Sequence, residues 1–263
     1  MQHNNSRWVF CLTSVLTLIL VANTATAAST PACSKSSPLH TVALLELYTS
    51  EGCDSCPPAD KFVSNLYQST GLTADQLLPL SLHVDYWDYI GWKDVFAKPA
   101  FTQRQRWLAE LASSRSVYTP EMFVAGHELR NWRGDVKETV KRINQVPARA
   151  DIRISLDALH GQQLSVRVDS KTEHPGKLYV ALLENNLVSN VQAGENRGVS
   201  LQHDYVVREW GEPVRMMNNS ANVTRQISIP VNAVRKNLAV AAFVQSDKGD
   251  VLQALSLPLC SNL

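Results

Sequence analysis

The pattern of apolar residues changes near Pro147, and this change limits the fold classes that the chain can adopt. Before it, apolar runs of strand length, such as residues 41–48, alternate with stretches of helical spacing. After it, short alternating runs such as residues 152–156 follow one another without helical patterns between them. The sequence therefore predicts an α/β domain at residues 41–147 and an all-β, sandwich-like domain at residues 148–263.

Local signals place the elements of the α/β part. Pro57 and Pro58 stand where a helix begins after the first strand, because proline is tolerated in a first helical turn, where its missing N–H would have no partner anyway. The other apolar patterns predict helices at residues 101–111 and 136–143, and strands at residues 77–84, 122–125 and 128–132.

Residues 1–27 have the pattern of a secretory signal peptide. Arg7 precedes an apolar run at residues 8–22, and small residues end the segment at Ala27. Removing it takes away one cation and no acid, so the 25 cations of the chain become 24 against 24 acids. This balance argues against nucleic acid or an anionic membrane surface as the main partner. The sequence predicts a periplasmic or secreted protein with cleavage near Ala27, an N-terminal segment at residues 28–40, and no stable membrane anchor after cleavage.

Four cysteines remain after signal cleavage, and their positions divide them into two pairs. Cys53 and Cys56 are three residues apart, whereas Cys33 and Cys260 lie near opposite ends of the mature chain. An even number of cysteines in an exported chain indicates pairing, although four cysteines allow three connectivities. The simplest division is a local CxxC pair and a structural Cys33–Cys260 disulfide that joins the chain ends.

The local pair lies at a strand-to-helix junction, which favours reactivity. A cysteine at a helix start meets the positive end of the helix dipole and free N–H groups, which favour the thiolate. Because two thiols three residues apart can close a small ring, one can resolve a mixed disulfide formed by the other. Cys53, expected to be the more exposed, is the predicted nucleophile, and Cys56 is the predicted resolving thiol. A structural disulfide and half of a zinc site are the alternatives, and zinc needs further ligands.

Glu46 lies on the strand that leads to this junction, seven residues before Cys53. A buried carboxylate beneath the thiols would be a proton acceptor for Cys56 and thus a catalytic residue. Glu46 could equally be a polar edge position of the strand, because one register slip changes the face on which it lies.

Residues 83–93 are dense in aromatic and acidic side chains and follow the second predicted strand. They should emerge at the carboxyl edge of the sheet, where α/β proteins bind ligands. Asp85, Trp87 and Trp92 are therefore the predicted substrate-binding residues. Aromatic packing over a long loop is the alternative. His83 could instead join the CxxC thiols in binding copper, which thiolates and imidazole suit.

Distinctive blocks of residues occur in both parts of the chain. The first part has CDSCPPAD at residues 53–60, HVDYWD at 83–88, GWKD at 91–94, RQR at 104–106 and YTP at 118–120. The second part has GENRG at residues 194–198, then His203 and VVR at 206–208. Together these blocks resemble the signatures of a family of exported bacterial thioredoxin-like proteins of unassigned function. The resemblance covers nearly the whole mature chain, and it implies a thioredoxin-like fold and an exported location without an established substrate.

The order of elements around Pro120 also resembles that of thioredoxin-like folds. Pro120 stands immediately before a predicted strand, well after the CxxC pair. The resemblance implies that the Thr119–Pro120 bond is cis and that its loop faces the cysteines. Pro120 would then serve in catalysis, and the backbone beside it at Thr119 would bind an extended substrate segment. The chain departs from thioredoxin itself, because its loop lacks the Trp-Cys-Gly-Pro-Cys pattern and two prolines follow Cys56.

The simplest prediction for residues 194–198 is a turn. Glycines at both ends permit a tight backbone, and the charged residues between them could pair with each other. A role at a domain interface or in ligand binding is the alternative, because functional residues concentrate on loops.

The charges around the CxxC pair predict the direction of the chemistry. Glu51, Asp54 and Asp60 surround the thiols in sequence, and negative charges disfavour a thiolate. Because a stabilised thiolate makes a strong oxidant, the site is expected to act toward the reducing side.

The sequence thus predicts an exported thiol–disulfide oxidoreductase that acts through Cys53 and Cys56 on protein or small-molecule thiols and disulfides. It predicts no cofactor and no resident metal. Two alternatives stay open. One is a copper-binding or metal-delivery protein that uses the two thiols with His83, and the other is a non-catalytic thioredoxin-like adaptor whose CxxC pair is locked as a disulfide.

Overall fold

The computed structural model describes residues 1–3, 33–157, 159–261 and 263. The predicted signal peptide lies outside these residues except for its first three positions. Pro31–Leu263 forms one compact unit. Among the described residues, no helix is both long and apolar enough to cross a membrane.

Strands dominate the secondary structure. The helices are α1 (Pro57–Ser64), α2 (Leu66–Thr70), α3 (Pro99–Leu111) and α4 (Trp132–Asn144). The strands of the first part are β1 (Cys33–Ser36), β2 (Ala43–Thr49), β3 (Leu77–His83), β4 (Glu121–Val124) and β5 (His127–Glu128). Those of the second part are β6 (Ala150–Leu156), β7 (Gln163–Thr172), β8 (Lys177–Glu184), β9 (Leu187–Asn190), β10 (Ser200–His203), β11 (Val206–Trp210), β12 (Val214–Arg215), β13 (Ser220–Ser228), β14 (Leu238–Gln245) and β15 (Val251–Pro258).

One large sheet runs through both parts of the chain. Within the described residues it has nine strands in the order β15-β14-β8-β11-β3-β2-β4-β5, with β12 paired to β8. The two parts meet where β11 joins β3 in parallel, with Val206 opposite Ser81 and Ser81 Oγ donating to Asp204 O at 2.8 Å. The secondary structure changes near residue 147, as predicted. Strands from both sides of this boundary nevertheless belong to one sheet.

A second sheet covers the end of the large sheet that belongs to the second part. Its strand order is β1-β6-β7-β13, and neighbouring strands are antiparallel. In β7, Leu164, Val166 and Val168 are buried and alternate with more exposed residues, as expected for a strand with one face on a core. They share a core with Val180 and Val240 of the large sheet, so the two sheets pack face to face.

The helices lie on both faces of the first part of the large sheet. Ala43, Leu45 and Leu47 of β2 pack with α1, α2 and α4. Leu44 and Tyr48, which point to the opposite face, pack with α3. The odd-numbered side chains of β2 therefore face α1, α2 and α4, and the even-numbered side chains face α3.

The two parts also touch at the β4–β5 hairpin. Gly126 has a φ of +86°, and a Cβ added there would lie 1.9 Å from the carbonyl oxygen of Gly249. Only glycine fits such an approach of two backbones.

Cys33 and Cys260 form a disulfide with a Cα–Cα distance of 6.0 Å, which is the pairing that the sequence predicts. Cys33 begins β1, whose partner β6 belongs to the second part of the chain. The disulfide closes a sequence separation of 227 residues. Such a link stabilises the fold by restricting the unfolded chain, by about 5 kcal/mol at most in the chain-entropy account.

The prediction of a strand at residues 128–132 is wrong over most of its length. Only His127–Glu128 pairs as a strand, and Trp132 is the first residue of α4. The side chain of Trp132 is buried and its ring centroid lies 4.9 Å from that of Phe62. Tertiary packing on α1 thus outweighs the high strand propensity of tryptophan.

Candidate functional site

The CxxC pair lies in the turn that connects β2 to α1. Cys53 and Cys56 form a disulfide with a Cα–Cα distance of 5.4 Å. Cys56 is the N-cap residue of α1, and Pro57 and Pro58 occupy the first helical turn. The carbonyl oxygen of Cys56 accepts hydrogen bonds from the N–H groups of Ala59 at 2.8 Å and Asp60 at 3.1 Å. The sequence predicted this strand–CxxC–helix geometry because each of its signals is local.

Both cysteines are buried. The exposed fraction of Cys53 and of Cys56 is 0 %. The expectation that Cys53 is the more exposed of the two is therefore wrong for the disulfide form, because segments distant in sequence cover the turn.

The loop before Pro120 is one of these segments. The Thr119–Pro120 peptide bond is cis. Ser55 Oγ lies 3.4 Å from Cys53 Sγ and donates to the carbonyl oxygen of Thr119 at 3.5 Å. Ser55 thus links Cys53 to the backbone of Thr119, the residue before Pro120.

The aromatic loop between β3 and α3 also reaches the site. Trp87 Nε1 donates to Thr119 Oγ1 at 2.8 Å, and Trp92 Nε1 donates to Glu51 Oε2 at 2.7 Å. Asp85 bonds to α3 instead, since its carboxylate accepts the hydroxyl of Thr102. Two of the three predicted substrate-binding residues of this loop therefore line the surroundings of the disulfide, and Asp85 anchors α3.

Glu46 does not share the face of β2 that carries α1. Its carboxylate pairs with Arg104 of α3, whose Nη2 donates to Glu46 Oε2 at 3.0 Å, and it accepts the hydroxyl of Tyr48 at 3.2 Å. Burial acts to lower the pKa of Arg104, but the charge and hydrogen bond of Glu46, together with Tyr48 and Tyr179, outweigh it and raise that pKa. The predicted role of Glu46 as proton acceptor for Cys56 thus has no contact to support it, because the alternation along β2 directs Glu46 toward α3.

Residues 194–198, here called the covering loop, lie over the CxxC turn. Asn196 Nδ2 donates to the carbonyl oxygens of Glu51 and Cys53, each at 2.9 Å, and Asn196 is buried. Glu195 Oε2 accepts the N–H of Asp54 at 3.2 Å. The turn predicted for this block is therefore a contact between the second part of the chain and the disulfide.

Replacing Asn196 with alanine is expected to speed reduction of the disulfide by dithiothreitol about thirtyfold. The substitution removes two hydrogen bonds of the covering loop, each of which contributes about 1 kcal/mol net, and about 1.4 kcal/mol corresponds to a factor of ten. The rate is measured by thiol labelling over time. Arg197→Ala, an exposed position in the same loop, is the control. Equal rates for wild type and Asn196→Ala would show that the covering loop does not limit access.

A cluster of buried acids and histidines lies beside the turn. His203, at the end of β10, has Nε2 3.5 Å from Glu51 Oε1 and Nδ1 4.0 Å from Asp60 Oδ1. His83, at the end of β3, has Nδ1 2.7 Å from Asp94 Oδ2, and this same oxygen accepts the N–H of Glu51. All five residues are at least nine-tenths buried, so this cluster is a strongly polar volume inside the protein.

Burial and mutual charge shift the proton affinities in this cluster. Burial raises the pKa of the Asp60 carboxyl, against the opposing charges of His203 and His83. Burial by itself would lower the pKa of His83, but the charge and hydrogen bond of Asp94 outweigh it and raise that pKa. Burial by itself would raise the pKa of Asp94, but the charge of His83 and three hydrogen bonds together lower it. The pair His83–Asp94 therefore favours the ionised state, and the Asp60 carboxylate binds a proton more readily than an ordinary aspartate does.

The residues named in the copper hypothesis do not form a ligand set in this oxidised form. Cys53 and Cys56 are bonded to each other, and His83 faces Asp94. Across the part of the chain that the structure describes, no group of three or more His, Cys, Asp or Glu side chains is arranged to hold a metal ion.

The sequence did not predict that three residues, Asn196, His203 and Asp94, lie at the site. Each lies in a block that the family resemblance singles out, which was the available signal. Asp94 lies 43 positions from Glu51, and Asn196 lies 143 positions from Cys53. Neither periodicity nor spacing relates residues so far apart, so their proximity to the turn could not be derived.

Within the described residues, the fold and the site define a protein of two packed sheets and a small two-stranded sheet of β9 and β10, with a covered CxxC disulfide. The family model described as "Protein of unknown function (DUF1223)" matches residues 44–245, and the chain belongs to this family. The match includes the CxxC turn, the aromatic loop, the covering loop and His203. The comparison with curated proteins found no match.

A solved structure shares the fold. The X-ray crystal structure of a protein from Agrobacterium tumefaciens, a structural genomics target, aligns with a TM-score of 0.61 and 24 % sequence identity. The alignment covers 86 % of this chain and 98 % of that one. At this identity the likeness concerns the fold alone.

Proposed function

We propose that this protein is an exported thiol–disulfide oxidoreductase that exchanges the Cys53–Cys56 disulfide with protein or small-molecule thiols and disulfides. The observation that carries the proposal is the disulfide at the strand-to-helix turn, with the Thr119 carbonyl in contact with Ser55 beside Cys53. Two cysteines in one such turn can form and release a mixed disulfide in sequence. A second disulfide in the chain is typical of an oxidising compartment, which supports export.

The proposal includes a thioredoxin-like fold for the first part of the chain. Its support is the strand block β3-β2-β4-β5 with helices on both faces, the CxxC turn after β2, and the cis proline before β4. Cys53 is the proposed nucleophile and Cys56 the proposed resolving thiol. An extended substrate segment would lie along the backbone at Thr119, with Trp87 and Trp92 beside it.

We propose that the site acts toward the reducing side. Glu51 and Asp60 are buried next to the turn, and negative charge there disfavours a thiolate. Pro57 and Pro58 remove two N–H groups from the helix start that would otherwise stabilise it. A less stable thiolate makes the disulfide the favoured form and lowers the reduction potential.

A redox titration tests this proposal. The protein is equilibrated with dithiothreitol or glutathione buffers at pH 7, and the Cys53–Cys56 thiols are counted by alkylation and mass spectrometry. We expect a midpoint near or below that of thioredoxin, about −270 mV. Cys53→Ser is expected to abolish exchange with a disulfide substrate. A pair that stays oxidised until the protein unfolds would contradict catalytic turnover, and a midpoint near about −120 mV would contradict the reducing direction.

The full burial of both cysteines favours one second candidate, a non-catalytic adaptor whose CxxC disulfide only holds the turn. The double variant Cys53→Ser/Cys56→Ser separates the two functions. An adaptor keeps its partner binding in this variant, whereas an oxidoreductase loses its activity.

A further inference from the structure

The exchange steps proposed above use the buried cluster only as a source of negative charge, and they assign no proton transfer to it. Among the described residues, five of its atoms have no hydrogen-bond partner: Glu51 Oε1, Asp60 Oδ1, His83 Nε2 and both ring nitrogens of His203. The exposed fraction of His203 is 1 %. Because a buried polar atom without a partner costs free energy, a cluster of them in a folded protein requires a functional explanation.

Asp60 links this cluster to Cys56. The two residues are four positions apart, and the N–H of Asp60 donates to the carbonyl oxygen of Cys56 as in a helical turn. Side chains four positions apart on a helix are neighbours on one face. Thr49 Oγ1 donates to Asp60 Oδ2 at 3.1 Å and holds the carboxylate in place, while Oδ1 is directed toward His203.

Asp60 also has a route to solvent. A cavity of about 440 Å³ lies between α1 and the hairpin formed by β9 and β10. Pro57, Asp60, Lys61 and Leu201 are among the residues that line it. Because Asp60 lines this cavity, the cavity is the path by which a proton would leave Asp60 for solvent.

We propose that Asp60, with His203 behind it, accepts and returns the proton of Cys56 during thiol–disulfide exchange. The inference rests on the proposed function. His203 lies between Asp60 and Glu51, and it positions Asp60 and shares its charge. It is contributed by the second part of the chain, which gives that part a chemical role in the reaction.

The reaction balances as follows for a disulfide substrate. The Cys53 thiolate attacks one substrate sulfur, forms a mixed disulfide and releases a substrate thiolate. Cys56 transfers its proton to Asp60, and its thiolate attacks Cys53 Sγ. The Cys53–Cys56 bond forms, the mixed disulfide breaks, and a second substrate thiolate leaves. Two electrons pass from the protein dithiol to the substrate, and the proton on Asp60 leaves through the cavity.

Several charged groups face Asp60 and set its proton affinity together with its burial. His203 approaches from β10, His83 from the end of β3 and Asp94 from the loop before α3, while Glu51 lies against the other ring nitrogen of His203. Lys61 follows it on α1 and lines the same cavity. A test must therefore change Asp60 and His203 separately.

Stopped-flow reaction of the fully reduced protein with 5,5′-dithiobis(2-nitrobenzoate) separates the two steps. The first thionitrobenzoate is released when Cys53 attacks, and the second when Cys56 resolves the mixed disulfide. In Asp60→Asn we expect the second phase at pH 7 to slow by about tenfold to a hundredfold, because positioned proton acceptors contribute at least about this much. Its rate should then rise with pH as an unassisted thiol ionises, with a pKa of about 8.5 or above. The first phase should change less than about twofold.

Asp135→Asn is the matched control, because it removes the same charge from an exposed residue in the first turn of another helix, α4. It should leave the second phase and its pH profile as in wild type. His203→Gln, which keeps a polar side chain, is expected to slow the second phase in the same direction and serves if Asp60→Asn does not fold. Second phases equal to wild type at every pH in both variants would overturn the relay while leaving the exchange reaction intact. A wild-type protein that releases no second thionitrobenzoate would overturn the proposed function itself.

Discussion

Replacing Arg104 with methionine is expected to lower the free energy of unfolding by about 3–5 kcal/mol. The variant leaves the carboxylate of Glu46, whose exposed fraction is 0 %, inside the protein without its cation. Arg104 also donates to Gln245 Oε1 at 2.9 Å and lies 4.9 Å from the ring centroid of Tyr179. It therefore connects β2 of the first part with β8 and β14 of the second.

Urea unfolding followed by tryptophan fluorescence measures this effect as a lower midpoint at an unchanged slope. Arg106→Met, which removes a cation from an exposed position of the same helix, is the control and should change stability by less than about 0.5 kcal/mol. The double variant Glu46→Leu/Arg104→Met should recover much of the loss, because it removes both buried charges. A loss below about 1 kcal/mol for Arg104→Met would show that the pair behaves as an exposed ion pair.

The variant Cys56→Ser is expected to accumulate a mixed disulfide on Cys53 and to lose turnover. In the wild type, the resolving thiol belongs to the same turn, with a Cα–Cα distance of 5.4 Å, so resolution is intramolecular and fast. Serine cannot attack the mixed disulfide, which then persists until an external thiol releases it. Incubation of the reduced variant with glutathione disulfide, followed by intact mass spectrometry without reductant, measures the adduct.

Cys53→Ser provides the comparison for this experiment. Cys56 is the N-cap residue of α1. As the only remaining thiol of the pair in Cys53→Ser, it should form little adduct under the same conditions. If both variants form equal adduct, the assignment of nucleophile and resolving thiol is wrong. If the adduct forms only in Cys53→Ser, the two roles are reversed.

Sequence patterns predicted the elements that carry the CxxC turn more accurately than their surroundings. The strand before Cys53, the helix after Pro57 and the helix that contains Arg104 follow from apolar spacing and from proline positions, which act over a few residues. The short strands β9 to β12 were not predicted, because two to five residues carry too little periodicity. Yet β10 and β11 bring His203 to the site and join the two parts of the sheet.

The sequence by itself determined the local chemistry: a strand that leads into two cysteines at the start of a helix, with acids on either side. These features depend on neighbouring residues, whose conformations are limited by backbone sterics and hydrogen bonding. Only the tertiary structure decided that Glu46 faces Arg104, that Asn196 covers the disulfide and that Asp60 meets His203. These contacts depend on which strands pair and which faces are buried, and that choice is made by the packing of the whole core.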